Sequence, residues 1–399
     1  MASAIAYAWF ASVAKQSNTV PLIQTPHPDL QLRAENLYAL SVSGFGDVSN
    51  NPEKVDILCP DDLPESSPFP SHKFALVDHN RLEPRFAKDN PNATVISVID
   101  HHKDEGLYKD TANPRIIKVA GSCASLVADL IRTQSPTEVP IIPELATFLI
   151  CSIVIDTNGL KKGGKAEDSD RQAMAYLLPH STLVPVPDIG PDTDFNDIPV
   201  LKTLTKKLKN KKDDVSHLGT RDLLRRDYKE NTLTPSWAKD SQIQVGLASI
   251  PIGFESWIPK DKDFYGATEG WIKERQLAAL LILTSFDEEK PKKKSRLISK
   301  KKDDDKPPKE DDHRRQLLVV VADNKDLASK LFPDLEKSEL GLTEISFEEF
   351  GAKKATGDFG WVLQAKVYKQ GNLTGNRKVI APIVDEIVEG HKSQTNELR

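Results

Sequence analysis

The sequence predicts an α/β fold with an N-terminal parallel-sheet domain and a smaller C-terminal α/β domain. Apolar runs rich in β-branched residues, typical of buried strands, occur at 73–77, 94–99 and 115–119. Helical patterns follow at 122–132 and 144–155, and strands that alternate with helices favour a parallel sheet. Because ligands of such sheets bind beyond the carboxyl ends of the strands, we expect a site there.

The second half of the chain begins after a stretch rich in proline and aspartate, 179–199, which is typical of an interdomain connection. A basic helical stretch follows at 200–229, and then come four strand candidates: 243–249, 278–284, 316–322 and 361–367. We therefore predict three parts: a first domain over 1–185, a linker and helix over 186–230, and a second domain over 231–399.

Within the second domain, residues 287–315 consist almost entirely of charged residues and proline. Such a segment cannot bury enough apolar surface to fold, and we expect a disordered insertion between two strands. We interpret its lysines as a solvated surface of mixed charge. A nuclear import signal or a polyanion contact is the alternative.

The overall composition excludes some classes of partner. The 399 residues carry a net charge of −5, so no global field draws the chain to nucleic acid or to an anionic membrane. We expect neither partner, and any site for an anion must be built locally. The three cysteines, Cys59, Cys123 and Cys151, lack metal-type spacing and fit a reduced compartment, so we predict a cytoplasmic location.

The first fourteen residues are small and apolar, with the bulky residues Ile5, Trp9 and Val13 recurring every four positions. This spacing predicts an amphipathic helix. A signal peptide is the less favoured alternative, because no cationic region precedes the apolar stretch.

Three apolar runs end in ionisable side chains. The run 73–77 is followed by Asp78, His79 and Asn80, and the run 94–99 by Asp100, His101 and His102. A third run, 152–155, ends in Asp156, with Lys161 five residues on, and we count it as a third strand end. Each feature alone also fits a turn residue, a helix cap or a core histidine, but three such coincidences would have to hold together.

Carboxylates and imidazoles together suit Mn²⁺, Mg²⁺ or Zn²⁺, and clustered carboxylates without a metal would raise one another's pKa. Two divalent cations about 3.5–4 Å apart, bridged by a carboxylate and a water, make hydroxide available and favour in-line displacement at phosphorus. Lys161, Arg377 and Lys378 are candidates for binding the phosphoryl oxygens. This chemistry predicts a cleft with metals on one domain and Arg/Lys on the other.

The motifs resemble the DHH phosphoesterase superfamily. The segments LVDHN (76–80), VIDHH (98–102), GSCAS (121–125) and IDTNGLK (155–161) match its blocks in order. TGNRK (374–378) with Pro382 resembles the signature of the C-terminal DHHA2 domain, which fungal-type exopolyphosphatases, prune-like proteins and family II inorganic pyrophosphatases share. The segments DLQLR (29–33) and LLRRDYK (223–229), with the overall length, favour the exopolyphosphatase branch.

The resemblance implies roles for individual residues. Asp78 would bridge two divalent cations, Mn²⁺ or Mg²⁺, with His101 and Asp156 as further ligands. His102 would contact the reacting phosphate, so these four residues form the implied catalytic set. Asp100 would orient the imidazoles. The residues implied to bind substrate are Asn80, His102, Lys161, Asn376, Arg377 and Lys378, with Asn376 standing where the family usually has Ser.

One block of the family is not recognisable here. The family's first block carries an Asp-x-Asp pair, whereas MASAIAYA matches only its tail and the first carboxylate of the chain is Asp29. We expect a truncated gene model, with two alternatives: a genuine short product that binds polyphosphate, or ligands supplied by another residue or subunit. For the chain as written, we predict that one metal site lacks its own carboxylates and that the sheet lacks a strand.

The predicted function is a metal-dependent exopolyphosphatase that releases terminal phosphate from inorganic polyphosphate through a hydroxide bridging the two cations. An inorganic pyrophosphatase or a prune-like phosphodiesterase is the enzymatic alternative. A catalytically impaired polyphosphate-binding protein is the alternative of another class. The sequence makes no prediction of oligomeric state.

Overall fold

The computed structural model describes the following residues: 1–46, 56–63, 68–136, 139–184, 188–190, 193–287, 313–354, 357–359 and 363–390. The chain divides into two compact units, Met1–Asp214 and Val215–Arg399. Most of the charged segment predicted to be disordered, 288–312, lies outside the described residues.

The first unit contains a three-stranded parallel sheet and eight α-helices among its described residues. The strands are β1 (Lys73–Val77), β2 (Thr94–Asp100) and β3 (Arg115–Ile117), hydrogen-bonded in that order. The helices are α1 (Ala2–Val13), α2 (His27–Leu30), α3 (Ala34–Ser43), α4 (Pro84–Ala87), α5 (Cys123–Gln134), α6 (Pro143–Asp156), α7 (Asp168–Leu177) and α8 (Pro199–Asp213). The predicted parallel sheet of the first unit is therefore confirmed.

Helix α6 is buried on almost every side, including all residues from Leu145 to Cys151. A helix that is apolar all round forms the centre of a core. The helical pattern predicted over 144–155 is therefore confirmed, and the run 152–155 is the last turn of this helix. Counting that run as a third strand end was wrong, because a short, fully buried apolar run fits a helix and a strand equally well.

Helix α1 confirms the predicted helix but not its predicted face. The side chains that it buries include Ala2, Ala6 and Phe10, whereas Val13 from the predicted apolar row is 43% exposed. The buried face combines alanines with Tyr7 and Phe10, whereas Ile5 and Trp9 of the predicted row are only partly buried.

The second unit contains a six-stranded mixed sheet and five α-helices among its described residues. The strands are β4 (Tyr228–Leu233), β5 (Ile243–Ile250), β6 (Leu277–Asp287), β7 (His313–Ala322), β8 (Leu342–Ile345) and β9 (Leu363–Gln370). Their order is β4-β5-β6-β7-β9-β8, with β5 and β6 parallel and the other pairs antiparallel. The helices are α9 (Thr220–Arg226), α10 (Phe254–Trp257), α11 (Phe264–Glu274), α12 (Lys325–Glu336) and α13 (Arg377–Glu389).

Both faces of this sheet are buried. On β6, Leu280 and Ile282 join one apolar cluster, whereas Ala279, Leu281 and Leu283 join another. Alternate side chains of a strand point to opposite faces, so the central strands read as continuous apolar runs and were predicted from sequence. The edge strands β4 and β8 are more polar, and we did not predict them.

The limits of two predicted segments change in the structure. The basic stretch 200–229 forms α8, α9 and the start of β4 rather than one helical segment. The end of β6 pairs with the start of β7, with Asp287 opposite His313. The two flanking strands therefore reach into the predicted insertion, at Asp287 and at 313–315. No helix among the described residues combines the length and the apolarity needed to cross a bilayer.

Candidate metal and phosphate site

The parallel pairing of β1 and β2 brings two of the predicted strand ends together. Val77 pairs with Ile99, and the Asp78 N–H donates to the Ile99 carbonyl at 2.9 Å. Asp78 then adopts a left-handed backbone with φ 71°, which a short polar residue tolerates better than most. This turn leaves the Asp78 side chain 54% exposed beyond the sheet.

Asp78, His101 and His102 form one group of potential metal ligands. Each offers an atom within 4.8 Å of the atoms offered by the other two. Within this group, Asp78 Oδ1 lies 3.2 Å from His101 Nε2. The structure thus brings together three of the four residues in the implied catalytic set.

The His101 ring is oriented by the backbone. Its Nδ1 lies 2.9 Å from the carbonyl oxygen of Ala120, which can only accept, so Nδ1 carries the proton. The other ring nitrogen, Nε2, faces Asp78. The hydrogen bond to Asp78 raises the pKa of His101 to about 8, although burial acts in the opposite direction.

The His102 ring is oriented by Asp100. The Asp100 carboxylate is fully buried and accepts from His102 Nδ1 at 2.7 Å and from the N–H groups of His101 and His102. Burial alone would raise the pKa of Asp100, but hydrogen bonds from Asn80 and His102 outweigh it and keep that pKa below its usual range. His102 Nε2 remains available to a ligand, and this side chain is 56% exposed. Asp100 thus orients one of the two imidazoles and the backbone of both.

Asn80, which the resemblance implied to bind substrate, has a different position. Its side chain is buried and donates to Asp100 Oδ2 at 2.5 Å and to the Lys103 carbonyl at 3.0 Å. Its Oδ1 accepts from the Glu105 N–H. Both amide hydrogens are therefore used within the protein, and the structure gives Asn80 the role of holding Asp100.

Asp156 ends helix α6 and lies outside the group of three ligands. Its Oδ2 accepts from the Ser122 hydroxyl at 2.6 Å. Desolvation by the surrounding protein atoms raises the pKa of Asp156, and the nearby charge of Asp78 raises that pKa further. The carboxyl group is therefore close enough to interact electrostatically with the ligand group, although its residue keeps contact with solvent.

Ser122 is held by a buried carboxylate that the sequence did not reveal. Asp170 accepts from the N–H groups of Gly121 and Ser122, from the Ser125 hydroxyl and from the Glu167 N–H. A Cβ at Gly121 would lie 2.7 Å from Asp170 Oδ2, so only glycine allows this approach. The Gly-Ser block thus positions Asp156.

The side chains fit a divalent cation. Nε2 of His101 and Oδ1 of Asp78 are both acceptors in their unprotonated forms, so a proton or a cation must lie between them. Both imidazoles donate Nδ1–H to a carbonyl or carboxylate oxygen, which is the arrangement that metal-binding histidines generally need. Ala120 and Asp100 therefore prepare both Nε2 atoms to meet a ligand.

The basic residues predicted to bind phosphate lie apart in the chain. Lys161 is exposed in the first unit, after the positive-φ residues Asn158, Gly159 and Leu160. In the second unit, Asn376 caps α13 by accepting from the Lys378 N–H at 2.8 Å, a role that Ser also performs. The departure from the family's usual Ser therefore preserves the cap.

Arg377 already has an acidic partner. Its Nη2 lies 2.9 Å from Asp227 Oδ1, and its Nη1 donates to the Asp227 carbonyl at 2.8 Å. Lys378 is exposed at the same helix start. Sequence reasoning missed the Arg377–Asp227 pair because 150 residues separate the two.

Two family models match the chain: "DHH family, N-terminal domain" over residues 1–153 and "DHHA2 domain" over residues 206–387. The chain therefore carries a DHH-family N-terminal domain and a DHHA2 domain. This agrees with the resemblance that the strand-end blocks and the C-terminal signature indicated.

Curated relatives share part of this chain. A protein named "Putative exopolyphosphatase" from Schizosaccharomyces pombe is 32% identical over 276 residues, which cover 65% of this chain and 62% of that protein. "Exopolyphosphatase PRUNE1" from Rattus norvegicus is 26% identical over 233 residues, covering 57% of this chain and 46% of that protein. The matches thus span between about half and three fifths of these relatives.

One solved structure supports the fold. A "putative family II inorganic pyrophosphatase" from Methanococcus jannaschii matches with a TM-score of 0.51 and 16% identity, covering 98% of this chain and 95% of that chain. At this identity the match concerns the fold alone.

Proposed function

We propose that this chain is a metal-dependent phosphoric anhydride hydrolase that releases terminal phosphate from inorganic polyphosphate. The observation that carries the proposal is the group of Asp78, His101 and His102, whose ligand atoms converge within 4.8 Å. The DHH-family N-terminal domain and the similarity to proteins named exopolyphosphatase support the reaction class.

Asp78, His101 and Asp156 would hold the divalent cations, Mn²⁺ or Mg²⁺. When bound, such cations activate water and neutralise charge on the phosphoryl oxygens. The protein's part is to hold the ligand atoms in place. The Ala120 carbonyl fixes His101, and the Ser122 hydroxyl fixes Asp156.

His102 would contact the reacting phosphate through Nε2. Its Nδ1–H donates to the buried Asp100 carboxylate at 2.7 Å, so turning the ring would break a charge-assisted hydrogen bond. The exposed face of the ring is then presented to a ligand in one orientation. This fixed orientation favours a role in binding an oxygen of the phosphate that reacts.

Further phosphates of the polyphosphate substrate would be bound by Lys161, Arg377 and Lys378. A guanidinium binds two phosphate oxygens at once, and Arg377 already presents two donors to the carboxylate and carbonyl of Asp227. We propose that a substrate phosphate replaces the Asp227 carboxylate as a partner of Arg377. Asn376 would contribute by capping α13 rather than by direct contact.

Phosphate release tests the proposal. Residues 1–399, freed of metal by chelation, are supplied with Mn²⁺ or Mg²⁺ and either long-chain polyphosphate, pyrophosphate or a nucleotide. We expect cation-dependent release from polyphosphate. Release from pyrophosphate alone, or from the nucleotide alone, would replace this function with that of a pyrophosphatase or a prune-like phosphodiesterase. Binding of polyphosphate without any turnover would favour the polyphosphate-binding protein.

A second comparison addresses the unrecognised first block. A version of the chain that also carries an Asp-x-Asp block ahead of α1 is expected to release phosphate faster than residues 1–399, because that block adds carboxylate ligands. Equal rates for the two versions would show that residues 1–399 suffice for full phosphate release.

A further inference from the structure

A second group of potential metal ligands lies in segments that the DHH blocks do not include. His27 Nε2, Cys59 Sγ and a carboxylate oxygen of Asp62 all lie within 4.8 Å of one another. We propose that this group binds one Zn²⁺ and thereby ties the segment around His27 to the segment 58–62.

The backbone holds the two segments together before any metal is present. Leu22 pairs with Leu58 as an isolated parallel bridge, and the Ile23 N–H donates to the Leu58 carbonyl at 2.9 Å. The His27 N–H donates to Asp61 Oδ1 at 3.0 Å. These contacts bring an imidazole close to a thiol 32 positions away in the sequence, which spacing rules do not detect.

The side chains of the group are also oriented. Asp62 Oδ2 accepts from the Cys59 N–H at 2.7 Å and lies 2.9 Å from His27 Nε2. Asp62 Oδ1 is the second oxygen of the same carboxylate. A cation between the sulfur, Nε2 and this carboxylate would need only a small widening of the contact between His27 and Asp62.

The donor set selects the kind of metal. Thiolate and imidazole favour Zn²⁺, whereas Mg²⁺ and Mn²⁺ prefer oxygen ligands. Cys59 is fully buried, but the side chains of His27 and Asp62 are 27% and 37% exposed, so a cation can enter from the solvent side. On binding, the S–H bond of Cys59 breaks, its proton leaves to solvent and a sulfur–zinc bond forms. Three protein ligands leave one position for water.

The hydrogen bonds among His27, Cys59 and Asp62 could also have a purely structural role. The sulfur atom allows an experiment to distinguish that role from metal binding. Cys59 and Asp62 also form a capping box on the short 3₁₀ turn Pro60–Asp62, in which the Cys59 side chain accepts from the Asp62 N–H and the Asp62 carboxylate accepts from the Cys59 N–H. The cap and the ion pair between His27 and Asp62 could serve that turn alone, and a serine hydroxyl at position 59 could accept in the same way without forming a sulfur–metal bond. A readout that reports the sulfur–metal bond therefore separates the two roles.

Co²⁺ binding to the full chain provides this readout. A Co²⁺ ion bound to a thiolate absorbs in the near ultraviolet through sulfur-to-metal charge transfer, whereas the site of Asp78, His101 and His102 contains no sulfur ligand. We expect the metal-free chain to develop this absorption on titration with Co²⁺ and to lose it when Zn²⁺ is added. Cys59→Ser should abolish the absorption, and the matched variants Cys123→Ser and Cys151→Ser should keep it.

His27→Gln provides an independent variant. This side chain is partly exposed on a four-residue helix, so its replacement removes a ligand without opening the core. We expect Co²⁺ to bind at least about tenfold more weakly, the loss that follows even removal of an outer partner of a metal ligand. No charge-transfer absorption at saturating Co²⁺, absorption that survives Cys59→Ser, or unchanged affinity in His27→Gln would each overturn the proposal. Neither readout depends on phosphate release.

Discussion

The two units hold their candidate residues for phosphate chemistry in opposite ways. In the first unit, Asp78 and His101 face each other as acceptors, so their geometry calls for a proton or a cation between them. In the second unit, Arg377 is already neutralised by Asp227. The first arrangement is prepared for its ligand, whereas the second must exchange one anionic partner for another.

The difference follows from what each side chain can do without its ligand. A histidine can be fixed through its remote nitrogen while Nε2 stays available, as Ala120 does for His101. A guanidinium carries donors only, so the groups that orient Arg377 are acceptors, and one of them is the anionic carboxylate of Asp227. We therefore expect substitutions in the first unit to have larger effects on activity than those in the second.

The largest effect is expected from Asp78→Asn. The amide keeps the size of the side chain but loses the carboxylate charge of a proposed metal ligand, and we expect metal-dependent phosphate release to fall more than about 100-fold. This estimate follows because removal of an outer partner of a metal ligand alone costs about 10–100-fold. Phosphate release and calorimetric titration of Mn²⁺ measure the effect.

Asp110→Asn is the matched control, since Asp110 is an exposed aspartate of the same unit. It should leave both measurements unchanged. Near-normal release from the Asp78 variant would mean that the strand-end group is not the metal site, and the contrast between the units would disappear.

Ser122→Ala should have the next largest effect. The hydroxyl donates to Asp156 Oδ2 at 2.6 Å, so its loss frees the carboxyl group of a proposed ligand without removing it. We expect cation affinity to fall about 10–100-fold, with activity partly restored by a higher Mn²⁺ concentration. Rescue by metal distinguishes a weakened ligand from a damaged core, which added Mn²⁺ would not repair.

Ser125→Ala provides a control for the fold, because Ser125 bonds to Asp170 in the same network but does not contact Asp156. If both variants lose cation affinity equally, Asp170 rather than the Ser122 hydroxyl determines the position of Asp156.

Sequence revealed the strand-end ligands because two rules agreed there. Apolar runs predicted β1 and β2, and parallel strands place their carboxyl ends at one edge. The partners that orient these ligands were not predictable. Ala120 acts through its backbone, and Asp170 reaches Gly121 from 49 positions away. Long-range contacts through carbonyls or lone carboxylates leave no local pattern, so the orientation of the site emerges only in the fold.

Arg377→Lys tests the second unit. Lysine keeps the positive charge but cannot bind two phosphate oxygens in the fixed geometry of a guanidinium. We expect KM for polyphosphate to rise about tenfold, equivalent to about 1.4 kcal/mol, with a smaller change in kcat. Steady-state kinetics on polyphosphate measures both constants.

Arg314→Lys supplies a matched control, because Arg314 is an exposed arginine on β7 in the same unit. A fall in kcat without any change in KM for Arg377→Lys would contradict a role in holding substrate phosphate and would place the guanidinium at the reacting group instead.

The smallest and most diagnostic effect is expected from Asp227→Asn. If a substrate phosphate displaces this carboxylate, its neutralisation removes a competitor for Arg377, and KM should fall rather than rise. The pair is partly exposed, so the gain should not exceed about fivefold, the equivalent of roughly 1 kcal/mol. The Asp227 carbonyl still accepts from Nη1, which keeps the guanidinium oriented.

Asp222→Asn on α9 is the matched control, because it removes a comparable ion pair, with Arg225, and should leave KM unchanged. A rise in KM for Asp227→Asn alone would mean that the carboxylate holds Arg377 in its productive position, and both units would then be prepared in advance for their ligands.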